Sequence, residues 1–300
     1  MFFIGAEGLV LNQFGQVLLI QRDDSRTWAL PGGGLDANEL PPVGMVREVF
    51  EETGFKVHPV RLVKVSYIRG RDLSLLIFLF RGILRGGTAT PSAESLQVGF
   101  VKTDHLPIMA RSHRERLQAG LYHTGGPALL VEQERHPWLW QLVRQLVYRW
   151  KDVKRYWHGS PPYQPMRAWM VDTMVLIRNE QGQLLWREGQ TGWELPGGPC
   201  DRMQAPWVAA ATLAEAQIGQ AVKIIDLAGV YVTPENLLTF CFVGAINGVT
   251  SQGRWATGAE IGEAAASSSH RYLHDTLLPS EITQFHILPS SPPSAPGNQP

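Results

Sequence analysis

The stretch from Gly33 to Phe55 constrains this chain more than any other. It sets Glu48, Glu51 and Glu52 at helical spacing, so on a helix the three carboxylates share one face. Like charges packed in this way repel one another. A hard divalent cation relieves the repulsion, and Mg2+ prefers such oxygen ligands. Arg47 has the planar fork to grip a carboxylate and fix its rotamer. Gly32 to Gly34 allow a tight turn and a close approach of backbone carbonyls to a metal. Pro41-Pro42 suit a first helical turn, and Gly54 stands where a left-handed residue ends a helix cheaply. Val43, Val46, Val49 and Phe50 are the expected inner face of that helix, with the acidic residues turned away from the core.

These residues match every fixed position of the Nudix box, and the chain resembles the Nudix hydrolase family. The plain alternative is a solvated acidic helix face. Against it stands a long motif of polar and glycine positions at set spacing. The resemblance implies an α+β chain built on an α/β/α sandwich, with a mixed sheet between helices. It also implies Mg2+- or Mn2+-dependent hydrolysis of a nucleoside diphosphate linked to another group. Glu48, Glu51 and Glu52 are then the expected metal ligands, helped by the Gly32 carbonyl. Glu52 and Glu48 are the expected catalytic carboxylates, and Arg47 orients them. Glu39 supports the loop–helix junction, and Gly33 and Gly54 hold the motif's shape. In many Nudix enzymes a loop glutamate beyond the box serves as metal ligand or general base. Glu94, just before the strand-like Val98 to Val101, matches that place. Its plain alternative is an exposed loop glutamate.

The 300 residues suggest two domains. A net charge of zero gives no global reason for a nucleic-acid partner. Two cysteines, Cys200 and Cys241, lack metal-type spacing and suit a reducing cytoplasm. The N-terminus has no basic segment ahead of its apolar residues and is not expected to be a signal peptide. Strands are expected at 4–11, 16–22, 57–67 and 74–84, the last central and buried on both sides, with a helix at 112–121.

The same order of features returns after a Pro-rich break at 159–162. Trp193 to Gly198 echoes Trp28 to Gly33, 165 residues earlier, and Gly219 echoes Gly54 at the same distance. The chemistry does not return. Gln204 stands for Glu39, Leu213 for Glu48, Ala216 for Glu51 and Gln217 for Glu52. The expected organisation is a catalytic Nudix domain at 1–135 and a connecting segment at 136–165. A degenerate, non-catalytic Nudix-like domain follows at 166–288, then a disordered Pro/Ser-rich tail at 289–300. The second domain is left to ligand binding, dimerisation or stability, and a homodimer is left open. The Trp-rich basic segment 138–157 reads first as a connecting helix and second as a membrane-surface helix. Substrate choice lies outside the box. An ADP-ribose-like compound or a nucleoside triphosphate follows from family frequency alone. A nucleotide-sensing protein with little turnover is the rival reading.

Overall fold

The computed structural model describes residues 1–70, 72–92, 94–133, 167–189, 192–248, 250, 252–261 and 283–288. The connecting segment at 138–157 and the tail at 289–300 lie outside them. The first half holds β1 (Phe2–Leu11), β2 (Val17–Arg22), β3 (Trp28–Ala29), β4 (Gly32–Gly34), α1 (Pro41–Thr53), β5 (Phe55–Ile68), β6 (Ser74–Gly87), β7 (Ser95–Val101), α2 (Arg111–Tyr122) and β8 (Leu129–Gln133). Its sheet runs β3-β2-β1-β6-β5-β8, with β4 on β1 and β7 on β2. β1 and β6 are parallel, while β5 and β6 are antiparallel, so the sheet is mixed. β6 is central, and its run Leu76 to Phe80 is buried, as an apolar stretch without alternation requires.

The two faces of this sheet pack differently. Leu9, Val63 and Leu79 meet Leu117 of α2. Ile4, Ala6, Val10, Val65, Phe78 and Phe80 belong to the core that contains Met45 and Val49 of α1. Helix α1 begins at Pro41 and ends on Gly54, whose φ of 75° is left-handed. Its rotation differs from the expected one. Val43 is 54% and Phe50 48% exposed, whereas Gly44, Met45, Val49, Glu52 and Thr53 are buried. The glycines of β4 explain the difference. They let the helix turn Glu48 and Glu52 inward against bare backbone, which carries Val43 and Phe50 outward. Gly8 permits the approach, since a Cβ there would lie 2.7 Å from Val49 Cγ2. Gly8→Ala is expected to cost about 1–3 kcal/mol through overpacking, read as a lower urea midpoint.

The second half holds β9 (Met170–Ile177), β10 (Leu184–Glu188), β11 (Trp193–Glu194), β12 (Gly197–Pro199), α3 (Pro206–Ile218), β13 (Val222–Thr233), β14 (Leu237–Ile246), β15 (Arg254–Ala256), α4 (Gly258–Ile261) and β16 (Gln284–Ile287). One sheet runs β12-β9-β14-β13-β16 and a smaller one β11-β10-β15. The strand directions match those of β4-β1-β6-β5-β8: β9 and β14 parallel, β13 and β14 antiparallel, β13 and β16 parallel. Helix α3 also starts on proline and ends on a left-handed glycine, Gly219. Among the described residues no helix is long and apolar enough to cross a membrane.

Candidate active site

The site lies where α1 crosses β4. Gly32 has φ of 152°, and a Cβ on it would sit 2.2 Å from the Ala6 carbonyl oxygen, so only glycine fits. The Gly32 N–H donates to Glu52 Oε2 at 2.7 Å. A Cβ on Gly33 would fall 2.6 Å from the Glu48 carboxylate, so the second glycine makes room for the second acid. Arg47 ties the motif together. It donates to both oxygens of Glu39 at 2.8 Å, to Glu48 at 2.9 Å, to Glu51 at 3.1 Å and to the Gly34 carbonyl at 2.8 Å. Glu39 also accepts from the Asp36 N–H, which closes the loop before the helix.

Burial pushes Glu48 up to about 7, against the pull of Arg47, with Glu51 and Glu94 adding repulsion. Burial pushes Glu52 up to about 8, against the Gly32 N–H, and Glu48 and Glu94 add to the rise. Glu48 and Glu52 thus resist carrying charge together. Glu51 is largely exposed. Among the described residues no three acidic, histidine or cysteine side chains already stand in a ligating group. The Arg47 guanidinium offsets part of the charge of Glu48 and Glu51.

Glu94 sits in a tied loop. The Ser95 hydroxyl donates to the Glu52 carbonyl at 2.7 Å and accepts from the Ser92 N–H at 2.8 Å. The Glu94 N–H donates to Ser92 Oγ at 3.2 Å, and the Asp23 N–H donates to the Glu94 carbonyl at 3.1 Å. Arg22, paired with Asp24 at 2.8 Å, is among the charges that favour the ionised form of Glu52.

The sequence reading missed a buried ion pair under this site. Glu7 on β1 faces Gly32 across the ladder. Its carboxylate takes two bonds from Arg116 of α2, at 2.6 and 2.7 Å, with both residues buried. Burial alone would raise Glu7, yet Arg116 and His113 hold it below the usual range. His113 is pushed down to about 4 by burial. The partners are 109 residues apart in sequence, so no local pattern announces them.

At the matching place in the second half the bonding is different. Gln217 accepts from the Gly197 N–H at 2.8 Å and donates Nε2–H to the Gly197 carbonyl at 2.7 Å. The amide therefore engages the carbonyl whose counterpart, on Gly32, is the expected metal ligand. Leu213 lies by Gly198, Ala216 is exposed, and the Gln204 N–H donates to the Asp201 carbonyl.

The NUDIX domain model matches residues 1–119. A MutT-like protein of Streptomyces ambofaciens is 36% identical over 134 residues, which is 44% of this chain and 85% of that protein. The chain belongs to the Nudix family. A putative 8-oxo-dGTP diphosphatase of Bacillus subtilis is 32% identical over 39% of this chain and 77% of that one. An 8-oxo-dGDP phosphatase of Mus musculus is 38% identical over 34% of this chain and 33% of that one. The chain is thus a Nudix pyrophosphohydrolase, and the family model falls on the half that carries Glu48, Glu51 and Glu52.

Proposed function

We propose that the first half hydrolyses the pyrophosphate bond of a nucleoside diphosphate carrying a second group, an ADP-ribose-like compound or a nucleoside triphosphate. The carrying observation is the pair of inward-turned carboxylates, part-buried Glu48 and buried Glu52, held against the bare glycine backbone of β4. The relatives named as acting on 8-oxo-dGTP and 8-oxo-dGDP favour the nucleotide end of that range. The donor set is all oxygen, which fits Mg2+ or Mn2+. Glu48, Glu51, Glu52 and the Gly32 carbonyl would hold it, with Glu94 at hand. Such an ion, when bound, would offset phosphate charge and lower the pKa of its water. Glu52 would take the proton of the attacking water, with Glu94 as the alternative acceptor. Arg47 orients Glu48 and Glu51, while Glu39 and the Gly34 carbonyl hold Arg47. Arg22 brings positive charge beside Glu52, where a phosphate would lie.

We read the second half as a non-catalytic Nudix-like domain. Its strand order and its proline-to-glycine helix support this, as does the two-point amide of Gln217. Cys200 and Cys241 are free thiols.

The test is product release from a panel of nucleoside diphosphate and triphosphate derivatives, with and without Mg2+. Metal-dependent turnover on one class supports the reading. Tight binding without turnover on any member would favour the sensing protein instead.

Two predictions follow from the geometry. Ser95→Ala frees the Glu94 loop from the Glu52 carbonyl. Turnover is expected to fall about ten-fold with KM little changed, measured at saturating metal. A large rise in KM with kcat intact would contradict it. The second concerns pH. Glu48 and Glu52 bind protons more tightly when folded than the ordinary value of 4.5. Their contribution is complete below pH 4.5 and is lost as pH rises toward 8. Chelator-treated protein should therefore melt lower at pH 8 than at pH 6, and added Mg2+ should raise the melting point more at pH 8. Equal Mg2+ effects at the two pH values would count against the assignment.

A further inference from the structure

The pairing registers identify equivalent residues in the two halves. Ala6 faces Gly33 on one side and Phe78 on the other, while Thr173 faces Gly198 and Phe240. Phe78 and Phe240 are therefore equivalents. Phe3 pairs Leu75 and Met170 pairs Leu237, so one step back Phe2 and Trp169 are equivalents too.

Equivalents meet one another where the halves join. Phe2 and Trp169 exchange backbone hydrogen bonds of 2.9 and 2.8 Å in an antiparallel bridge. Phe78 and Phe240 stack with centroids 5.7 Å apart and planes 6° from parallel. Phe80 then stacks on Phe78, and its equivalent Phe242 stacks on Phe240. A residue that contacts its own counterpart marks an isologous, two-fold contact, whereas an arbitrary domain join pairs unrelated positions.

We infer that the join is an internalised two-fold dimer interface, in which the second half occupies the place a second copy of the first half would fill. The inference rests on reading the second half as a relative of the first, and on neither site's turnover. The face is filled within one chain, so it offers no place to a second copy. Departures from symmetry favour the mixed pair. The Arg202 carbonyl accepts from Tyr67 Oη–H and Ser74 Oγ–H, both at 2.6 Å, and its guanidinium donates to the Gly70 carbonyl at 3.3 Å. Trp207 meets Tyr67 edge-on at 6.5 Å. At the same 165-residue distance, Arg202 and Trp207 correspond to Ala37 and Pro42, which keep a backbone carbonyl for Tyr67 and Ser74 but have neither the guanidinium nor the aromatic ring. Two first halves would therefore pair, but less tightly than a first with a second.

The test uses the full chain with a protease site placed among residues 161–165, cut after folding and weighed by native mass spectrometry. The uncut chain should be monomeric, and the cut halves should stay together as one mixed pair. Phe240→Glu in the cut protein should abolish the mixed pair and release first halves that pair with each other. Trp207→Ala repeats the comparison without placing a charge in the core, and should raise the share of like pairs. A dimeric uncut chain would overturn the inference. So would halves that part with Phe240 intact, or freed first halves that never self-pair. Turnover is read in the same samples: its absence with the pairs intact counts against the hydrolase alone, and normal turnover with the pairs lost counts against the interface alone.

Discussion

Glu52→Gln lowers turnover on the order of 10³-fold and leaves the fold intact. The substitution keeps an oxygen acceptor for the Gly32 N–H and removes the negative charge and the proton acceptor. The chain already contains the glutamine version of this contact, since Gln217 holds Gly197 through both its amide groups. Stability should hold or rise, because the buried Glu52 carboxylate prefers to be protonated up to about pH 8. The check is kcat at saturating substrate and Mg2+, beside a thermal melt. Near-normal kcat would remove Glu52 from the chemistry. A collapse of the melt would show that the loss of activity is a loss of fold.

Arg116→Ala is expected to carry the largest stability effect. It strands Glu7, which is 6% exposed, without its two-point partner. Breaking a buried pair by removing one side costs about 3–5 kcal/mol. At roughly 2–4 °C per kcal/mol, the melting point should drop by on the order of 10 °C. The wild-type pair holds Glu7 below its ordinary value of 4.5. Its contribution is therefore present above that pH and is lost as pH falls through the depressed value. The gap between variant and wild type should shrink in acid, where Glu7 of the variant takes up a proton. Glu7→Leu added to Arg116→Ala should recover much of the loss, since an uncharged pair has nothing to strand. A pH-independent gap that the second substitution leaves unchanged would contradict the ion-pair account.

What the sequence made legible follows from range. Helix α1 was readable because Pro41 and Gly54 mark its ends locally, and β6 because Leu75 to Phe80 is apolar without a break. The glycines and acids of the box were readable because one close approach of helix to backbone sets their spacing. The rotation of α1 was not. Val43, Val46, Val49 and Phe50 look like one core face, yet only Val46 and Val49 pack inward, and the closeness of Glu48 to Gly33 shows why Val43 and Phe50 do not. Glu7 with Arg116, and Ser95 with Glu52, join residues far apart in the chain, so neither side chain stands out alone. The second half was visible because Trp193-Glu194-Leu195-Pro196-Gly197-Gly198 echoes Trp28-Ala29-Leu30-Pro31-Gly32-Gly33. Its meeting of equivalent with equivalent became visible only through strand register.

The central claim is that one metal-binding carboxylate site exists, on α1 and not on α3. Titration of the full chain with Mn2+, followed by the EPR signal of the free ion, tests it without knowledge of the substrate. Binding should be present in the wild type, lost in Glu52→Gln and unchanged in Gln217→Ala. Binding that survives Glu52→Gln, or that disappears with Gln217→Ala, would contradict it.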